Sequence, residues 1–141
     1  MTQKTFSVND FIAVYGATQL TGFVDGSFIT ISYDADAFNY VNGADGEVAR
    51  VKTKKLMATI TVRLLQTSLT NDALSAYFFA DFEGNATQNF ILKDLNGNTI
   101  LESSECSIPK IPDAEYGTEP TNREWTIKAP KLIGLLGGNY R

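Results

Sequence analysis

Histidine is absent from the 141 residues, and cysteine occurs once, at Cys106. The first absence removes the commonest general base and a leading metal ligand. Together they leave Cys106 without an imidazole to activate it, rule out an intrachain disulfide and make a zinc site implausible. A lone thiol beside a strand pattern is expected to be packing. No apolar run approaches the ~18 residues that span a bilayer. The opening MTQKTFSVND lacks the apolar core and cleavage site of a secretory signal, so the expectation is assembly in the cytoplasm of the producing cell. There is no glycine loop for phosphates and no serine elbow. Carboxylates are plentiful, but a glycosidase pair is defined by a separation that sequence does not carry. The expectation is a chain that is not an enzyme, with no catalytic residue, no metal and no cofactor.

What is present describes one globular domain over residues 1–141, with 43% hydrophobic and 20% charged residues. The net charge of −4 is unevenly spread. Between Thr5 and Ala49 stand Asp10, Asp25, Asp34, Asp36, Asp45 and Glu47 with no base; between Arg50 and Arg63 stand Arg50, Lys52, Lys54, Lys55 and Arg63 with no acid. Two faces of opposite sign suit head-to-tail self-association. Four clustered bases are too few, and the pI of 4.7 too low, for a groove that tracks phosphates. The oxygen donors Asp34, Asp36, Asn39, Asn42 and Asp45 fail as a calcium loop. Phe38 and Asn39 fall where a ligand and a glycine are required, and Asp45 replaces the bidentate glutamate.

The strongest local signal is Leu56–Leu65, where Leu56, Ala58, Ile60, Val62 and Leu64 alternate with Met57, Thr59, Thr61, Arg63 and Leu65. Period two with β-branched residues predicts a long strand, one face on a core and the other on water or a neighbouring subunit. A helix is expected from Asn71 to about Ala80, capped by Thr70, with Leu69 and Leu74 as a hydrophobic staple. Leu74, Tyr77 and Phe78 form its core stripe. Further strands are expected at Phe11–Tyr15, Gln19–Phe23, Ser27–Tyr33, Gln88–Leu95, Asn98–Cys106 and Arg123–Lys128, with Asn96-Gly97 as a hairpin turn. Residues 107–122 read as an exposed proline-rich acidic loop, 34–49 as a long loop with a task, and 130–141 as a mobile tail. The sum is a mainly β protein, an antiparallel sandwich or barrel with one flanking helix.

The run LTGFVDGSFITISYDADAFNYVNGADGEVARVKTKKLMATITVRLLQTSLTNDALSAYF, with the later REWTIKAPKL, resembles the tail tube proteins of tailed bacteriophages, especially contractile ones. The resemblance extends to tube proteins of type VI secretion systems and R-type pyocins. It implies six subunits joined edge to edge into rings, and rings stacked into a hollow tube through which DNA passes without specific binding. Implied partners are the chain itself, a sheath, a tape-measure protein, and baseplate and tail terminator proteins; the implied location is the virion tail. On this reading the loop residues Asp34, Asp36, Phe38, Asn39, Tyr40, Asn42 and Asp45 reach the adjacent ring. Met57, Thr59, Thr61 and Arg63 line the channel or a seam, and Asp25, with Asp34 and Asp36, faces the channel. The alternatives are a pyocin or type VI tube, or a monomeric binding module using Tyr33, Phe38 and Tyr40.

Overall fold

Alternation in the long strand does what its period requires: Ala58, Ile60, Val62 and Leu64 are fully buried, while Thr59, Thr61 and Arg63 are half-buried on the opposite face. The computed structural model describes residues 11–95 and 97–138. In chain order they form β1 (Phe11–Tyr15), β2 (Thr18–Gln19), β3 (Ile29–Tyr33), β4 (Phe38–Asn42), β5 (Val48–Lys52), β6 (Ala58–Leu65), α1 (Thr70–Gly84), β7 (Gln88–Asp94), β8 (Ile100–Cys106), β9 (Asn122–Ala129) and β10 (Ile133–Leu135). A five-stranded sheet runs β10-β8-β7-β1-β2, a three-stranded sheet β3-β6-β9, and β4-β5 form a separate ribbon. Every pairing is antiparallel. The two larger sheets enclose one core, which includes Tyr15, Phe90, Leu101, Trp125, Ile127 and Leu132. The architecture is the expected mainly β sandwich with one helix against its side.

Helix α1 is tied to the three-stranded sheet at its first turn and to the five-stranded sheet through Tyr77. Asn71 is buried; its amide donates to the Leu65 and Ser68 carbonyls, both at 3.0 Å, and its Oδ1 accepts the Trp125 indole N–H at 2.8 Å. Tyr77 packs edge-on against Tyr15 and its hydroxyl accepts the Ala17 N–H at 3.0 Å. The β1–β2 turn needs Gly16, whose φ is +63° and where a Cβ would lie 2.8 Å from the Tyr77 ring.

Several local expectations are corrected. The helix runs four residues past Ala80 and ends where Asn85 adopts the left-handed conformation. Thr70 is its first residue rather than its cap: the hydroxyl donates to the Thr21 carbonyl and accepts the Thr21 N–H, both at 3.1 Å. Leu69 is 81% exposed, so it staples nothing. Residues 34–49 are not a loop but most of a hairpin. Of residues 107–122, Asn122 already opens β9 and the rest are irregular, yet Ile108 is buried and Ile111 packs on the core. In the 130–141 tail, Ile133–Leu135 adds a strand to β8. The β7–β8 hairpin forms, but its turn residue Asn96 lies outside the described residues.

Candidate assembly surfaces

Register places Thr30 and Ser32 of β3, Thr59, Thr61 and Arg63 of β6, and Glu124, Thr126 and Lys128 of β9 on the solvent face of the three-stranded sheet. The face is rich in hydroxyls and its charges are paired with one another. Lys128 Nζ lies 3.1 Å from Asp34 Oδ2 and donates to Thr59 Oγ1 at 2.6 Å, while that hydroxyl donates to Asp34 Oδ1 at 2.6 Å. Arg63 lies 3.4 Å from Glu124 and donates to Thr30 Oγ1 at 3.1 Å. Hydrogen bonding from Thr59, then from Lys128, holds the Asp34 carboxyl below its ordinary value. Met57 precedes the strand and is half exposed.

Both edges of this sheet are available. Among the described residues no strand pairs the outer edge of β3, and β9 meets only Ser107, through Lys128. Beyond that bridge β9 borders a 590 Å³ groove walled by Pro109, Ile111 and Pro112.

The second surface is the β4–β5 ribbon, in which every residue is exposed. It continues the β3–β6 pair past a slip of one residue. On the near side Asp34 N–H bonds the Met57 carbonyl, and on the far side Thr53 N–H bonds the Ala37 carbonyl. Residues 54–56 therefore oppose only 35–36, a one-residue bulge at which Lys54 takes φ +59°. The tip closes through Gly43 N–H to the Glu47 carbonyl at 2.6 Å, with Gly46 at φ +90°. Cross-strand partners share a face, so Phe38/Lys52, Tyr40/Arg50 and Asn42/Val48 lie on one side, and Asn39/Val51 and Val41/Ala49 on the other. The Arg50 guanidinium stacks 4.6 Å over the Phe38 ring.

Of the residues singled out from sequence, Asp34, Thr59, Thr61 and Arg63 are thus brought together, and Phe38, Asn39, Tyr40 and Asn42 share the ribbon, with Asp45 in its tip. Asp36 sits at the bulge, where its carbonyl accepts the Thr53 hydroxyl at 2.8 Å. Asp25 lies apart, in a turn beside Phe23 at the Leu64 end of β6. Asp25, Asp34 and Asp36 therefore form no single acidic patch, and Asp34 is paired with Lys128. Leu74 is buried, and Tyr77 and Phe78 pack half-buried against the core. Sequence reasoning missed the stacked rings of Phe11, Phe23 and Phe28, with centroids 4.6–5.7 Å apart. It also missed Phe79 and Phe82 on the outer side of α1.

The sequence signature of the bacteriophage PhiTE tail tube protein family matches residues 5–137. The chain belongs to this tail tube family. It is a structural component of a virion tail, not an enzyme. A structural protein, ORF10, of Pseudomonas phage KPP10 is 31% identical over 127 residues, which are 86% of this tail tube protein and 72% of that one. The fold is shared with a chain of the sixfold-symmetric tail of a gene transfer agent particle (TM-score 0.64, 14% identity, 94% of this chain and 100% of that one). It is also shared with a chain of the extended sheath–tube complex of the extracellular contractile injection system PVC (TM-score 0.58, 14% identity, 92% and 90%).

Proposed function

We propose that this tail tube protein closes into six-membered rings through the edges of its three-stranded sheet, and that the rings stack into the inner tube of a contractile phage tail. The observation that carries the reading is the β3-β6-β9 sheet, with an open edge on each side and a solvent face of hydroxyls and paired charges between the apolar Met57 and Leu65 at its two ends. Joining β3 of one copy to β9 of the next leaves no unpaired edge on this sheet, and only closure removes edges altogether. Met57, Thr59, Thr61 and Arg63 then line the channel. A phosphate passing that wall meets cations already held by Asp34 and Glu124, so it gains little by displacing counterions and DNA moves through without gripping. The wall is neutralised by its own pairs, rather than repulsive through Asp25, Asp34 and Asp36. The β4–β5 ribbon, with Phe38 and Tyr40, reaches the adjacent ring. A sheath outside, a tape-measure protein within, and baseplate and terminator proteins at the ends complete the particle. The kinship with a phage structural protein favours DNA as cargo over a pyocin-like or type VI tube.

Directed cross-linking tests ring closure. In a Cys106→Ala background, a cysteine at Thr30 or Ser32 is combined with one at Glu124, Thr126 or Lys128, because solvent-face residues of paired edges lie ~5 Å apart. Oxidation of at least one combination should give a ladder that stops at six. Monomers throughout, or a ladder passing six without a break, would refute the closed ring.

A further inference from the structure

Phe11, Phe28, Ile29, Ile31 and Leu92 line an apolar groove of 350 Å³ with Asp94 at its margin. A neighbouring hollow shares Phe11 and Phe28, adds Phe23, and is bordered by Asp25. The stacked phenylalanines are the common floor. This acid-edged apolar surface lies at the Ile29 end of β3, whereas the ribbon, with Arg50 and Lys52 on β5 and Asp45 and Glu47 at its tip, leaves the sheet beyond Tyr33, at the other end. A two-stranded ribbon is marginal in water on its own. Here Tyr40 is 67% and Val48 63% exposed, on the same side as Arg50 and Lys52. One end of the subunit thus offers a projecting element with apolar and cationic groups, and the other end an apolar recess with anionic groups.

We infer that the ribbon of one copy seats in the phenylalanine-floored groove of a second copy, with Tyr40 and Val48 over Phe11 and Phe28 and with Arg50 directed to Asp25. Donor and acceptor lie at opposite ends of one sheet, so the contact is heterologous and repeats along the sheet axis instead of closing as a dimer. Arg50 on the Tyr40 side of the ribbon set against Asp25 beside the groove orients the contact. The inference rests on the proposed tube, in which the second copy belongs to the next ring, and it identifies the ribbon's receptor.

The test mixes two full-length variants in a Cys106→Ala background, Asn42→Cys in the ribbon and Ser27→Cys beside the groove. Mild oxidation should yield a mixed disulfide far exceeding either homodimer. Adding Arg50→Glu to the first variant should slow its formation about tenfold, and adding Asp25→Arg to the second should restore it. No mixed disulfide, an Asn42→Cys homodimer in equal yield, or indifference to the charge changes would each overturn the docking. Ring closure is read separately from the Ser32 and Thr126 ladder: a six-step ladder without the mixed disulfide rejects this receptor and leaves the ring standing.

Discussion

At the scale of single residues, Asn71 does the most connecting. It joins the end of β6, the loop before α1 and the indole of Trp125, and its loss strands a buried N–H. Asn71→Ala should cost about 1–3 kcal/mol of stability, read from the urea midpoint followed by Trp125 fluorescence; an unchanged midpoint would show that the network carries no net stability. None of this was legible, because a helix-initial asparagine reads as local capping and its partner lies 54 residues away. Cys106 was legible as packing. It is fully buried, and burial pushes its thiol above the ordinary value, so thiol reagents should label it only at the rate of unfolding. Labelling at the rate of a free thiol in the folded protein would contradict this.

Asp34 carries a pH signature. Its pKa is lowered in the folded state, so the unfolded chain takes up the proton first as pH falls. Its stabilisation is present above the ordinary aspartate pKa of about 4 and disappears as pH drops through the lowered value. Asp34→Asn should therefore unfold more readily than the parent at pH 7, with the gap closing below about pH 4, as thermal melts across pH would record.

At the scale of elements, β6 was legible because ten residues repeated one period, and α1 because three apolar residues held helical spacing. The β4–β5 hairpin was not. Asp34, Asp36, Asn39 and Asn42 are turn-forming types, no hydrophobic alternation marks a ribbon buried on neither face, and the bulge moves the register by one. That bulge demands a left-handed residue at position 54. Lys54→Gly should keep Thr53 N–H protected from hydrogen exchange, whereas Lys54→Val should expose it, since a β-branched side chain opposes φ +59°. Equal protection in both would remove the bulge from the account. Phe79 and Phe82 escaped notice for a related reason: α1 is apolar around more than its core stripe, and a sequence does not say which apolar face is left over.

At the scale of the whole molecule, the sandwich followed from strand count and turn spacing. The two faces of opposite sign expected from the charge runs do not form, because the hairpin folds the acidic segment back against Arg50 and Lys52 and Asp34 pairs with Lys128. Which end held the acceptor required the fold, because the groove is assembled from β1, β3 and β7 and depends on rings brought together from Phe11, Phe23 and Phe28. The same long-range pairing turns four charges of the solvent face into two ion pairs, so the sheet proposed to line the channel presents hydroxyls rather than net charge. An open-edged sheet and a projecting, exposed ribbon are the features on which the proposed assembly rests. The most direct test is electron cryomicroscopy of the purified protein as concentration is raised. The account requires hollow tubes with six copies per ring, β3-β6-β9 on the lumen, and each ribbon on the groove of the next ring. Tubes with that sheet on the outer wall, or a monomer at every concentration, would contradict it.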